Sequence, residues 1–296
     1  MKQFWLTFLA ATALASAGEF KPGQVPAGSQ WFAHFDAAAF KRSEIGKFGL
    51  EQAKAFAPAI DGLVGVLQFD PRKDLHGVTV FGVIGDGEPR GTVLVDATFK
   101  RDHLLTLLRT NESFKEEQTK GHTIFSWAED QGDGRTFGAF SGKNHVLLGD
   151  DRELLVSALD TLAGKILGLK AAQLDGLDKG RGNYFIAQAR TDGLPFPSEA
   201  KIVEHVRRVG ITVGEAKNNL VVSVRVKVGN DEVGTLVRQA AEGLVAAGRL
   251  QLWEPEDPNL KQLEAILREV EIEKEKNTVV TRLVVPVKQL LDLARE

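Results

Sequence analysis

The chain has 296 residues, with 37 Lys and Arg against 40 Asp and Glu, no cysteine and a single tyrosine. The lack of cysteine excludes disulfides, a lipobox anchor and any thiolate metal site. Charges of both signs are interspersed, with no basic block suited to nucleic acid and no acidic tail.

The first seventeen residues, MKQFWLTFLAATALASA, have the form of a bacterial secretory signal. Lys2 supplies the positive start, Phe4 to Leu14 the apolar run, and Ala15-Ser16-Ala17 the small-x-small cleavage pattern. The run is shorter than the roughly 20 residues a spanning helix needs. The expectation is cleavage after Ala17, export to the periplasm or beyond, and no transmembrane segment afterwards. Residues 18–29, GEFKPGQVPAGS, read as an irregular Gly/Pro-rich leader into the first strand.

That strand is WFAHFDAAAF, residues 31–40, and it carries the sharpest question in the sequence. Residues two apart on a strand share a face, so Phe32, His34 and Asp36 stand side by side. Trp31, Ala33 and Phe35 are expected to point the other way, into a core. A histidine oriented by a carboxylate suits a general base or a pair of metal ligands. The plainer alternative is a polar strand face, with Asp36 capping the helix that follows. In the second half SQWFAHFD aligns with NYFIAQAR (183–190), matching Trp31 to Phe185, Phe32 to Ile186 and Ala33 to Ala187. His34 and Asp36 then meet Gln188 and Arg190, which favours the polar face and leaves the pair as weak binding candidates.

Further along, hairpins written in Gly, Asp and Asn alternate with amphipathic helices. GVTVFGVIG-DGEPR-GTVLVDATF leads into KRDHLLTLLR, and RTFGAFSG-KN-HVLLG into DDRELLVSALDTL, with an extra strand HTIFSW ahead of the second. After residues 164–183 the scheme returns. VRRVGITVGEAKNNLVVSVRVKV and REVEIEKEKNTVVTRLVV each form a hairpin around asparagine, at Asn218-Asn219 and Lys276-Asn277, and each precedes a helix. The alternation in VEIEKEK marks a wet face or a sheet edge. Apolar stripes run through Leu154, Leu155, Ala158, Leu159 and Leu162, through Val233, Leu236, Val237, Ala240 and Leu244, and through Leu260, Leu263, Ile266 and Leu267. Asp150 with Glu153 resembles a capping box, and Pro286 suits a first helical turn.

Catalytic motifs are wanting. His76, His103, His122, His145 and His205 form no H-x-x-x-H spacing and read as surface or capping groups, His76 and His122 beside turn glycines. Ser198-Glu199-Ala200-Lys201 fits S-x-x-K without its S-x-N and K-T-G companions, so Ser198 reads as a helix cap. Ser141 lies in a hairpin, away from any strand-to-helix elbow. The glycine-rich stretches GDGEPRG and DQGDGRTFG lie between strands, where no helix N-terminus can meet a phosphate.

The opening VPAGSQWFAHFDAAAFKRSEIGKFGLE resembles the start of a group of uncharacterised exported bacterial proteins. In these a V-P-x-x-x-x-W segment runs into H-x-D and then a helix with S-x-x-G. Here the positions are Val25, Pro26, Trp31, His34, Asp36, Ser43 and Gly46. The resemblance implies export and an α+β architecture, and it implies no activity.

The expected fold class is α+β, with antiparallel sheets and helices packed on one face. Repeated strand–hairpin–strand–helix units build two related halves, 18–168 and 178–296, after the signal at 1–17. The expected function is an exported, non-enzymatic binding or structural module of unknown ligand, with no cofactor, no metal and no nucleic acid. A protein partner or an envelope component would suit it. Two alternatives stand beside it: an extracytoplasmic hydrolase or metal enzyme using His34 and Asp36, and a lipid or hydrophobe carrier.

Overall fold

Strand β1 (Trp31–Asp36) pairs antiparallel on one side with β2 (Leu75–Gly85) and on the other with β8 (Asn183–Arg190). It thus sits in the middle of one continuous sheet of twelve strands, in a computed structural model that describes residues 18–85, 88–129, 134–175, 177, 182–191, 203–252 and 258–295. Residues 1–17, Ser198 to Lys201 and residues 130–133 of DQGDGR lie outside the described residues.

In chain order, β1 is followed by helices α1 (Ala37–Arg42), α2 (Glu44–Gln52), α3 (Ala57–Leu67) and the short α4 (Pro71–Asp74). The hairpin of β2 and β3 (Glu88–Ala97) leads to α5 (Arg101–Leu108). Next come β4 (Lys115–Thr119), β5 (His122–Ala128), β6 (Arg135–Ser141), β7 (His145–Gly149) and α6 (Arg152–Leu162). After β8 the chain forms β9 (Val206–Ala216), β10 (Asn219–Val228), α7 (Asp231–Gln251) and α8 (Pro258–Arg268). It closes with β11 (Val270–Glu275), β12 (Thr278–Pro286) and α9 (Val287–Leu293). The spatial order is β11-β12-β10-β9-β8-β1-β2-β3-β7-β6-β5-β4, with every neighbouring pair antiparallel. The α+β antiparallel architecture is therefore as expected.

The main core lies on the face that carries Phe32. Across the register Phe81, Leu94, Leu147 and Ala139 point the same way, and α6 covers them with Leu155, Val156, Ala158 and Leu159. The N-terminal leader is folded back over the same face. Phe20 stacks on Phe32 with ring centroids 4.8 Å apart, and Val25 is fully buried. A clamp holds the leader down: Leu169 N–H donates to Val25 O, Ala27 N–H to Leu167 O, and Pro26 bridges to Gly168. Gly168 is obligatory there, because a Cβ would lie 2.2 Å from Gly23 O.

This covering reverses the expected polarity of β1. Phe32, His34 and Asp36 are the buried side, and Trp31, Ala33 and Phe35 are only half-buried. The reason is that the leader and α6 cover the Phe32 side. Helices lie against both faces of the sheet. α6 takes the Leu94 and Leu147 side, while Leu104 of α5 and Leu67 of α3 approach Val95 and Val146 on the other around a gap of about 120 Å³. Strands apolar on both faces need cover on both.

A smaller core forms where the start of α7 lays Val233 and Val237 on Val206, Val209, Val226 and Val228. The predicted α7 stripe reaches the core only at this end, since Leu244 is 75% exposed. In α8, Ile266 is buried while Leu260 and Leu263 stay exposed. The cap of α6 is Asp151 rather than Asp150, accepting from Glu153 N–H and Leu154 N–H. The β9–β10 turn places Lys217 and Asn218, not Asn218 and Asn219, in the left-handed region. β11 is an edge strand with alternating exposure, as VEIEKEK predicts. β4, KEEQT, is the other edge, and no periodicity announces it. Among the described residues no helix is long and apolar enough to cross a membrane.

Candidate functional site

His34 and Asp36 line a cavity of about 340 Å³ on the covered face. Its floor is formed by these two residues of β1 with Asn183, Tyr184 and Ile186 of β8. The leader supplies Glu19 and Phe20 on one side, and the segment after α6 supplies Ala171, Leu174 and Leu177 on the other. The walls are mostly apolar, with carboxylates at Glu19 and Asp36.

Each polar group already has a local task. His34 Nε2 lies 2.8 Å from Gly18 O, which can only accept, so this nitrogen carries the proton. Nδ1 lies 2.9 Å from Thr79 Oγ1 and therefore accepts from the hydroxyl. Thr79 stands directly opposite His34 on β2. Burial holds the imidazole below its ordinary pKa, against the opposing pull of the Gly18 carbonyl, Asp36 and Asp96. The ring is neutral with both nitrogens engaged, which leaves no lone pair for a substrate proton or a metal ion.

Asp36 Oδ1 accepts from Ala39 N–H at 2.7 Å and is the N-cap of α1. Tyr184 meets Phe40 edge-on at 5.3 Å, and burial, helped by the charge of Glu215, pushes its phenol up to about 12. It is a neutral hydroxyl at any physiological pH.

Beside the cavity lies a polar row that sequence inspection missed. The registers place Asp36, Gly77, Asp96 and His145 in line across β1, β2, β3 and β7. His76, at the irregularity of β2, has Nδ1 3.2 Å from Asp96 Oδ1, and His145 Nε2 is 3.9 Å from Asp96 Oδ2. The signal was available in the hairpin. With Gly85 opposite Glu88, counting back along both strands sets Asp96 against Gly77. Among the described residues, no group of three or more His, Asp or Glu side chains is placed to hold a metal ion.

The other histidines are scattered. His103 Nε2 donates to Val66 O at 2.7 Å, tying α5 to α3, and His205 lies in a 3-10 turn. His122 opens β5 and sits 2.8 Å from Asp160, away from the cavity. Ser141 ends β6, directly opposite His145 of β7, away from any strand-to-helix elbow. Tyr184, Glu19 and Phe20 were not anticipated as site residues. Their approach depends on the leader folding back and on β8 pairing with β1, contacts that no local pattern contains.

The chain matches no protein-family model and no curated protein sequence. Among solved structures it is similar to TP0453 in three crystal forms. Form I has a TM-score of 0.47 at 8% identity, covering 93% of this chain and 97% of that one. Form III gives 0.45 at 9%, covering 93% and 98%, and form IV gives 0.46 at 9%, covering 95% and 99%.

Proposed function

We propose that this is an exported, non-enzymatic binding module that takes a small, largely apolar ligand in the cavity over β1 and β8. The observation that carries the reading is the cavity itself: apolar walls, a neutral phenol at Tyr184, a carboxylate at Glu19 by the mouth, and a histidine with no free nitrogen. Its volume falls in the lower range of small-molecule sites, which are typically apolar with a few placed polar groups. A ligand with one hydrogen-bond donor or cationic group on an apolar body fits that lining. Export is supported by Lys2, the apolar run and Ala15-Ser16-Ala17. Descent of the two halves from one unit is supported by the outward strand orders β1-β2-β3-β7-β6 and β8-β9-β10-β12-β11.

The hydrolase or metal-enzyme alternative asks His34 to act as a base or a ligand, and its two hydrogen bonds oppose that. A hydrophobe carrier draws support from a second, shallow apolar groove of about 220 Å³ on the opposite face, along Trp31, Ala33, Ala187, Ala189, Val209 and Ile211.

Native mass spectrometry of protein purified after export tests the reading, combined with Ala171→Trp to fill the cavity. A retained small molecule that the substitution expels is the expected result. A ligand retained equally by the variant would move the site elsewhere, to the shallow groove if that ligand is a lipid. A bare chain that no small molecule stabilises would overturn the binding role.

A further inference from the structure

Gly18 is the residue that the predicted cleavage would leave first, and it is buried. Its backbone sits at φ +102°, and a Cβ there would lie 2.2 Å from His76 O and 2.6 Å from Asp36 Oδ1. Only glycine can occupy the position, and the Asp36 carboxylate lies against its backbone. The neighbouring strand yields in the same way, since a Cβ on Gly77 would come within 2.9 Å of Gly18 O and 3.2 Å of His34 Cε1. The Gly18 carbonyl is held by His34 Nε2–H. Next to it Glu19 and Phe20 enter the cavity wall.

We infer that His34 and Asp36 form a receptor for the chain's own mature N-terminus: His34 holds the Gly18 carbonyl and Asp36 holds its α-ammonium group. Two independent observations meet at this residue. The Ala-Ser-Ala pattern ends at position 17, and the residue packed into the slot between His34, Asp36 and Gly77 is Gly18. The export machinery's leader peptidase supplies the step. Water adds across the Ala17–Gly18 peptide bond, its hydroxyl going to the Ala17 carbonyl carbon and its proton to the Gly18 nitrogen. The released amine has an ordinary pKa of about 8 and takes a further proton near pH 7. A positive charge then faces Asp36 where an amide had been. Processing thereby anchors the leader and finishes the wall carrying Glu19 and Phe20. The inference rests on the export reading and is independent of which ligand, if any, the cavity holds.

The test compares two forms of the full mature chain, one starting at Gly18 and one retaining a single extra residue before it. Each is made with and without Asp36→Asn. Asparagine caps a helix as well as aspartate does, so this substitution removes the charge and leaves the cap. The exported protein should have the intact mass of residues 18–296. The extended form should melt about 2–4 °C lower, the shift expected for loss of a modest ion pair in a chain of this size. Asp36→Asn should lower the Gly18 form by a similar amount and leave the extended form unmoved. A mature mass beginning elsewhere, equal melting of the two forms, or an equal effect of Asp36→Asn on both would each overturn the inference. Ligand binding enters none of these readouts, so failure of the binding role leaves them standing.

Discussion

Ala33 lies directly opposite Ala187 where β1 pairs with β8, and these are also the residues that align when the two strands are superposed in sequence. The register is symmetric about this pair. Trp31 faces Ala189, and its counterpart Phe185 faces Phe35. Small side chains at the symmetry point leave the backbone ladder to do the joining, and the sheet crosses from one half to the other without a break.

A continuous ladder predicts that the halves unfold together. The main core crosses the junction, since Ile186 of β8 packs against the cluster containing Phe32 and Leu155. Calorimetry of the protein should show one transition with matching calorimetric and van't Hoff enthalpies. Two resolved transitions would mean that the β1–β8 pairing does not couple the halves.

Acid should weaken the fold in a specific window. His34 and His145 both have pKa values below the ordinary 6.5, in each case chiefly through burial. As pH falls through 6.5 the unfolded chain takes up protons that the folded chain refuses, so stability declines. Asp70, lowered by its hydrogen bond from Arg72, and Asp160, lowered by His122, extend the loss below their ordinary 3.8. Urea midpoints at pH 7.5 and 5.5 should differ, and His34→Gln should shrink the difference. An unchanged slope in that variant would show that His34 takes up its proton equally in the folded and unfolded chains.

His34→Ala should destabilise by about 2–4 kcal/mol, because it orphans the buried Thr79 hydroxyl and the Gly18 carbonyl together. The same variant should bind any cavity ligand more weakly only to the extent that the leader loosens. Urea denaturation measures the first quantity, and a loss below about 0.5 kcal/mol would contradict the bridging role.

Leu155 is fully buried between α6 and the sheet, so Leu155→Ala should cost about 2–5 kcal/mol. Leu244→Ala, on the exposed length of α7, should change stability by less than about 0.5 kcal/mol. Equal effects would mean that α7 is covered in solution.

Gly82→Ala should be more damaging than its size suggests. A Cβ there would lie 1.9 Å from Arg90 O and 2.8 Å from Trp31 Cζ2, so the β2–β3 ladder or the indole must move. Gly62→Ala, in open space on α3, should be neutral or stabilising. Thermal melts of the two variants check the contrast.

Much of this architecture is readable from local pattern because local chemistry decides it. Period-2 apolar runs became β2, β3, β9, β10 and β12, hairpins fell at Gly, Asp and Asn, and VEIEKEK became an edge. The sequence alone also determined that His34 and Asp36 share a face and that Asp36 stands where a helix cap is needed. Tertiary structure decided which side of β1 is buried. That choice depends on a leader pinned by residues 167–169 and on β8 pairing with β1, contacts spanning some 150 positions of chain. Strand periodicity specifies two faces and cannot say which will be covered, because covering is a property of whatever packs on top. The role of His34 turns on the same point, since its partners Gly18 and Thr79 arrive from two other segments of the fold.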